Sequence, residues 1–524
     1  MLLKATASVS GLTLASRVFG FLRDILLAKL VGAGPASDAF FVALRLPNMF
    51  RQLFAEGAFN VAFVPMLARQ LEAGGNAKAE EFAKSILSIL FWVALVLSAL
   101  VMLFMPQVVG VLAPGFKDHP DTFELAVTLS QITFPYFLFI TLTSFIGGIL
   151  NTLKRFVAFA AAPILLNLSF IFSLLVLTKF TPTAVMAAAI AVPLGGVLQI
   201  TLMLLAVRRA GFKVRLSMPH GHGELKTLGK RMIPTLIGVG AQQITTLVSM
   251  MLASLLPAAS ISYLFYADRL NQLPLGLIGI ALATVLLPTL SRSLKQGHND
   301  YSQKLLVQGF GIALALGLAA ACGLMLLSTE IMTVLFQRGA FSGTDAHQSG
   351  LALAAYSAGL PAYVLVKLTN TAFYAHENTK TPVQTALFSL VVGLIMMAVL
   401  MKPYGHTGLA AATSIAAWVN LFLQYLLLRR KNILEPTSAA TFGRYAFKAI
   451  LMVGLMGGYL MLMKHYLPLL GENAVVDTTH TSHSVLWLGG VIATAGGIWG
   501  MSGYILGMHR LIFAFAFEPQ KKAK

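Results

Sequence analysis

The chain has 524 residues, of which 57% are hydrophobic and only 11% charged, and its mean hydropathy is +0.79. An ordinary soluble domain carries about 25% charged residues, so this chain cannot cover a water-facing surface; it needs the bilayer as solvent, which excludes a soluble enzyme, a disordered chain and a collagen-like repeat. The net charge of +19 would suggest nucleic acid for a soluble protein, but here it reads as basic residues gathered in loops on one side of a membrane.

Spanning helices need roughly 20 mostly apolar residues. Apolar stretches between polar breaks predict fourteen of them, at 8–32, 38–66, 85–112, 124–150, 157–178, 184–207, 232–256, 261–290, 305–336, 347–375, 382–401, 407–428, 442–463 and 484–508. The breaks carry turn chemistry, as at Gly34-Pro35, Gly74-Gly75-Asn76, Ala113-Pro114-Gly115 and Lys402-Pro403-Tyr404-Gly405. With the N-terminus in the cytoplasm, cytoplasmic segments hold 26 of the 38 Lys and Arg, outside segments five, and the spans or their edges seven. That asymmetry supports both the span count and the orientation, with both termini cytoplasmic. The N-terminus shows no short apolar region with a small-residue cleavage site, so no cleaved signal peptide is expected. The one cysteine, Cys322, lies in an apolar run and reads as a buried inert thiol.

The chain also repeats itself. Val64-Pro65-Met66-Leu67-Ala68-Arg69 resembles Leu287-Pro288-Thr289-Leu290-Ser291-Arg292, and Phe41 to Leu46 resembles Phe265 to Leu270; these and two further matches keep one order at offsets of 223–226. The offset covers six spans, an even number, so both copies share one orientation. The fold expected is an all-α polytopic membrane protein: an N-terminal lobe at 1–210, a C-terminal lobe at 211–431 that includes a basic cytoplasmic loop, and two added helices with a basic tail at 432–524.

Charges lie inside the predicted spans. The first holds Arg17, Arg23, Asp24 and Lys29; the second Asp38, Arg45, Arg51 and Glu56; the eighth Asp268 and Arg269; the tenth Lys367. Each costs several kcal/mol at mid-bilayer unless paired or hydrated. Arg17 and Asp24, like Asp38 and Arg45, are seven residues apart and share a helix face. The plainer reading is that these groups clamp one another. Seven cations against four anions leave a surplus that clamping does not absorb, although Lys29 and Arg45 can snorkel. A cationic surplus around water is a site for an anion, and the arginine fork suits phosphate. The expectation is a cationic cavity for a phosphate- or diphosphate-bearing ligand. Proline in or near many spans fits bending helices, and equally the ordinary frequency of proline there.

Enzyme chemistry is not legible. There is no Walker motif and no nucleophile elbow, Gly32-Ala33-Gly34 lacks a strand–helix context, and His220-Gly221-His222 is a weak metal signal without further ligands. No catalytic residue, metal or cofactor is expected.

Three stretches carry a resemblance. Ser16 to Asp24, Ser37 to Ala43 and Leu46 to Phe59 resemble the opening of the MurJ/MviN family, the lipid II flippases of the multidrug/oligosaccharidyl-lipid/polysaccharide exporter superfamily. Tyr266 to Leu270, Ala113-Pro114-Gly115-Phe116 and Lys380-Thr381-Pro382 extend it over nearly the whole chain. The resemblance implies two lobes around a central cavity and a groove for a polyprenyl tail on the last two helices. It carries cavity roles onto Arg17, Arg23, Asp38, Arg51, Asp268, Arg269 and Lys367; together with the charge reading, substrate binding is expected of Arg17, Arg23, Arg269, Arg51 and Lys367, and gating or charge pairing of Asp24, Asp38, Glu56 and Asp268. Relatives can have an acid where this chain has Gln272, so Gln272→Ala is expected to leave activity largely intact. The implied activity is translocation of lipid II, an undecaprenyl-diphosphate-linked disaccharide-pentapeptide, across the bacterial inner membrane by alternating access. That makes the protein a transporter in peptidoglycan biosynthesis and cell-wall biogenesis rather than an enzyme. Its partners would be lipid II and membrane lipid, not nucleic acid. The coupling ion and any contact with the cell-wall synthesis machinery stay open. The alternative is export of another polyprenyl-linked saccharide or other substrate. A cationic-drug exporter would need an acidic cavity, a membrane enzyme would need clustered carboxylates or histidines, and a scaffold would leave the buried arginines unexplained.

Overall fold

A computed structural model describes residues 2–54, 58–217, 224–466, 481–511 and 515. These residues form helices joined by turns, with no strand among them. The helices are α1 (Leu2–Val31), α2 (Pro35–Phe54), α3 (Ala58–Leu103), α4 (Met105–Leu112), α5 (Pro120–Thr133), α6 (Tyr136–Thr152), α7 (Val157–Leu175), α8 (Ala184–Arg209) and α9 (Glu224–Ser254). They continue with α10 (Ser260–Pro274), α11 (Ile280–Lys295), α12 (Asn299–Leu326), α13 (Ser328–Phe336), α14 (Gly343–Ser357), α15 (Leu360–Ala375), α16 (Lys380–Arg430), α17 (Pro436–Tyr466) and α18 (Thr481–Ile505).

Ten helical stretches among the described residues are long and apolar enough to cross a membrane. One of them, α16, has 51 residues, roughly 75 Å of helix and far more than one crossing. Its backbone breaks at Gly405 (φ 56°), which divides it as the predicted spans 382–401 and 407–428 do. The charged helix α1, the short α2 and α9 are not among the ten. Large apolar side chains face outward in helical stripes: Leu14, Val18 and Leu22 on α1, and Leu387, Val391, Ile395 and Val399 on α16. In water such stripes would be sticky patches; in acyl chains they are the correct surface.

The breaks between helices recur with the sequence repeat. Phe104 separates α3 from α4, and Leu327, 223 residues later, separates α12 from α13. Pro135 precedes α6, and Gly359, 224 residues later, precedes α15. The second copy thus bends its helices where the first does.

The chain groups into two compact units: residues 1–262 with 339–341, and residues 263–338 with 342–524. The division falls after α9, one helix later than the repeat boundary, because α9 packs on α2, α3 and α4. The first unit is built around stacked aromatic rings, with Phe63 at 4.9 Å from both Phe59 and Phe145 and 6.0 Å from Phe82. The second is built around aliphatic residues of α11, α12 and α15, with Leu511 and Phe515 packed on them.

Candidate functional site

In the first unit the charge-bearing helix α1 packs against α7. Arg23 donates from Nε and Nη2 to Asp24 Oδ1 at 3.0 and 2.7 Å, and from Nη1 to Asn167 Oδ1 on α7 at 3.1 Å. Neighbouring residues on a helix point about 100° apart, so the long arginine stem must bend across to reach Asp24. Asn167 keeps it there: its Nδ2 donates to the Ser16 carbonyl at 2.9 Å, and the Phe170 ring lies 5.3 Å from the guanidinium carbon. Both charged side chains are largely buried, at 12% and 6% exposure. The expected cationic surplus therefore does not include Arg23 as a bare cation, because Asp24 neutralises it.

Arg17 differs. It is exposed and makes no hydrogen bond or ion pair among the described residues. It lines a groove of about 380 Å³ within this unit, together with Thr13 and Ser16 of α1, Asn151 of α6, and Phe156 and Phe159 at the start of α7. The groove offers one charged fork, an amide, two hydroxyls and two aromatic rings, a set able to take a phosphate with an attached polar group.

Asp38, on the first turn of α2, is 3% exposed. Its Oδ2 accepts from the Ala259 N–H at 2.8 Å; its Oδ1 accepts from the Ser262 N–H at 2.8 Å and the Ser262 hydroxyl at 2.5 Å. The Ser37 and Ser262 hydroxyls are 2.8 Å apart. Asp38 therefore caps the start of α10, and no cation pairs with it among the described residues. The same end of the unit is closed by backbone against backbone. The Ala340 N–H donates to the Lys29 carbonyl at 2.8 Å, and Gly32 and Gly339 adopt positive φ there. A Cβ on either glycine would lie within 2.4 Å of the opposing carbonyl oxygen, so only glycine allows the approach.

Further along α2, Arg45 Nη2 donates to Gln243 Oε1 of α9 at 3.5 Å, and Gln243 Nε2 donates on to Gln52 Oε1. Arg51 Nε donates to Asn48 Oδ1 at 3.4 Å. Glu56 lies outside the described residues, as do His220, His222, Asp477 and His480.

In the second unit, Asp268 and Arg269 sit on α10. Gln272 Nε2 donates to Asp268 Oδ2 at 2.6 Å, and the Arg269 guanidinium lies over the Phe265 ring at 4.7 Å. Tyr363 lies one helical turn before Lys367 on α15. After Pro274 the backbone widens into a π turn at Leu275–Gly279, a feature frequent at functional sites. The Lys367 stem packs where a Cβ at Gly279 would be, 3.5 Å away. Lys367 is exposed and, like Arg17, makes no side-chain bond among the described residues. Gln272, whose replacement by Ala is expected to leave activity largely intact, makes this amide contact with Asp268.

A small groove of about 100 Å³ lies between α12, α17 and α18, lined by Ile312, Met452, Trp499 and Tyr504 among others. Asn167, Phe170, Phe265, Ser262 and Tyr363 were not singled out by sequence reasoning. Asn167 alone carried a signal, as an isolated amide in the apolar run Leu165-Leu166-Asn167-Leu168.

Comparison with known proteins agrees on a family. The family described as lipid II flippase MurJ matches residues 27–476. A probable lipid II flippase MurJ of Rhizobium tropici is 38% identical over 483 residues, covering 91% of this chain and 90% of the relative. The lipid II flippase MurJ of Burkholderia cenocepacia is 34% identical over 461 residues, covering 87% and 89%. A solved lipid II flippase MurJ in an inward closed conformation superposes with a TM-score of 0.77 at 25% identity, covering 95% of this chain and 98% of that one. An inward-facing multidrug transporter of the MATE family shares the fold, with a TM-score of 0.66 at 15% identity over 80% of this chain and 94% of that one. The chain belongs to the MurJ lipid II flippase family.

Proposed function

We propose that this multi-pass protein carries lipid II from the cytoplasmic to the periplasmic leaflet of the bacterial inner membrane by alternating access. Family membership supplies the substrate. The observation that carries the chemistry is Arg17, a guanidinium on α1 that lines a groove and has no partner among the described residues. A cation without a partner among the described residues would cost several kcal/mol if it lay within the bilayer, a cost that an anionic ligand would remove. Arg17, Arg269 and Lys367 are proposed as the principal diphosphate ligands. Arg23 is proposed to act mainly through its Asp24 clamp, with Arg51 as a further ligand. Arginine holds a phosphate through two parallel hydrogen bonds, and Lys367 adds a flexible point charge.

With both termini cytoplasmic, as the distribution of Lys and Arg supports, the Asp38 cap and the Lys29–Ala340 contact lie at the periplasmic end. Asp38 is then a gate residue. Its carboxylate holds the N–H groups at the start of α10, where the helix dipole also favours a negative charge, and releasing that hold opens the outward path. Residues 1–210 and 211–431 act as the two lobes, and residues 432–524 provide the polyprenyl groove. With no Walker motif in the sequence, the proposed drive is an ion gradient, the membrane potential, worth about 2.3 kcal/mol per charge per 100 mV, or consumption of product.

The direct test is reconstitution into vesicles carrying lipid II on one leaflet, read by a sidedness probe. The parent protein is expected to move lipid II across, and Arg17→Ala to fail while still inserting and folding. Equal transport of a polyprenyl-linked saccharide that is not a peptidoglycan precursor, or no transport of lipid II by the parent, would reject the assignment.

A further inference from the structure

The second half of α16 is tied to α14 by three side chains that donate to backbone carbonyls. His406 Nε2 meets the Gln348 carbonyl at 3.1 Å, Ser414 Oγ the Ala355 carbonyl at 2.7 Å, and Trp418 Nε1 the Ala358 carbonyl at 2.9 Å. The contacts follow one order along both helices, like rungs of a ladder. A hydroxyl and an indole donate at any ordinary pH; of the three, only histidine changes its charge between about pH 5 and 8.

His406 is also the end rung. It follows Gly405, whose φ of 56° breaks α16, so it fixes the helix where it restarts. Its ring lies 5.2 Å from the Tyr263 ring of α10, tilted by 51°. The Tyr263 hydroxyl donates to Asp345 Oδ1 at 3.0 Å. Asp345 Oδ2 accepts from the Ser342 N–H and hydroxyl, both at 2.8 Å, in the capping box that starts α14. One histidine thus bears on the first turns of α10 and α14 and on the restart of α16. Tyr263 directly follows Ser262, the residue that holds Asp38.

A carbonyl only accepts, so Nε2 carries the hydrogen of the neutral ring and Nδ1 has none. Protonation would add a hydrogen at Nδ1, which makes no hydrogen bond among the described residues, and would charge a half-buried ring. Both effects disfavour the cation. Two groups oppose them. The Gln348 carbonyl favours the charged ring, and tyrosine attracts a cation over its face, from which this ring is tilted. Burial prevails and pushes the His406 pKa below the ordinary histidine value; the residue lies in the break between the predicted spans 382–401 and 407–428. The other titratable or charged groups at this end are Tyr263 on α10, Asp345 and the exposed His347 on α14, and the exposed Lys402 and Tyr404 on α16. Glu330 on the neighbouring α13 pairs with Lys464 at 3.0 Å.

We propose that His406 is a proton-operated latch: the neutral ring holds the restart of α16 against α14 and α10, and protonation releases it. Acid is the opening signal. The latched arrangement is intact above the ordinary histidine pKa of about 6.5 and loses stability as the pH falls from there toward the lowered value. The latch goes beyond the flippase reading and does not depend on it.

The test is hydrogen exchange, read by mass spectrometry on the full-length protein in lipid vesicles from about pH 8 to about pH 5, with the intrinsic pH dependence of exchange divided out. In the parent, peptides covering 342–348 and 402–410 are expected to exchange roughly tenfold faster at the acid end, the factor supplied by one unit of pKa difference. Peptides covering 414–424, held by the other two rungs, should change little. His406→Gln keeps an N–H donor and cannot titrate, so its exchange should stay slow throughout. His406→Ala removes the rung and should exchange fast throughout. Parental exchange that does not vary with pH, or acid sensitivity that survives in His406→Gln, would show that there is no latch at this residue. The parental profile decides the matter even where a variant fails to fold. Lipid II takes no part in the measurement, so a failure of the flippase reading leaves its result standing.

Discussion

Each compact unit contains one aspartate adjacent to an arginine, and the two pairs are handled differently. In Arg23-Asp24 the charges are bonded to each other, and an amide from a second helix, Asn167, steadies the arginine. In Asp268-Arg269 the amide comes from the same helix, Gln272, and takes the aspartate, while the Phe265 ring lies beneath the arginine. Neighbours on a helix do not face each other, so what each charge does depends on which third group is within reach. Adjacency in sequence thus produced a buried clamp in one place and, in the other, two charges with different partners. The first resembles a structural joint. The second, with the exposed Lys367 stem packed beside Gly279 of the π turn, resembles a working surface.

The largest effect is expected at the joint. Arg23→Ala removes one partner of a buried ion pair with Asp24, 4% exposed, a loss of about 3–5 kcal/mol; it should be read as a fall in melting temperature and in the yield of folded protein, with flipping lost as a consequence. The double change Arg23→Gln with Asp24→Asn removes both charges and should recover most of that stability. Recovery of flipping as well would show that Arg23 matters only as a clamp, and would sharpen the contrast between the two pairs.

Arg269→Ala should do the reverse. Flipping is expected to fall by two orders of magnitude or more, with a smaller loss of stability than Arg23→Ala, of which the lost ring contact is about 1 kcal/mol. A variant as unstable as Arg23→Ala would erase the distinction drawn here. Arg17→Ala is expected to cost at least tenfold in transport and nothing measurable in thermal stability, since its side chain makes no bond among the described residues; Arg17→Lys should rescue poorly because a point charge lacks the fork. The smallest effects belong to the rings. Phe170→Leu and Phe265→Leu keep the apolar contact and remove the cation–π attraction, about 0.5–2 kcal/mol, so transport changes of a few-fold are expected. Phe265→Leu should change transport, and Phe170→Leu melting temperature.

Much of this was readable from the chain. The stripes at Leu14, Val18 and Leu22 follow from a helical period in an apolar sequence, and the break at Gly405 from a turn signal. The internal repeat was visible in weak motifs, and the helix breaks at Phe104 and Leu327 repeat it physically. The site was legible as a set of charged residues in the wrong solvent, because a charge in an apolar run is conspicuous whatever its partners. Its internal wiring was not. Asn167 is 144 residues from Arg23 and Ser262 is 224 from Asp38, and no spacing rule joins residues so distant. The Gln272–Asp268 contact was not legible either, because an uncharged residue in an apolar helix carries no electrostatic signal of its own.

The sequence by itself determined the solvent, the helical class, the two-fold repetition and which residues would need partners, since these depend on composition and short-range periodicity. Only the tertiary structure decided which charges neutralise one another and which stay available: Arg23 bound to Asp24, Asp38 capping α10, Arg17 and Lys367 without bonds among the described residues. Hydrogen bonds and ion pairs act over about 3 Å, and only folding sets which distant side chains come that close.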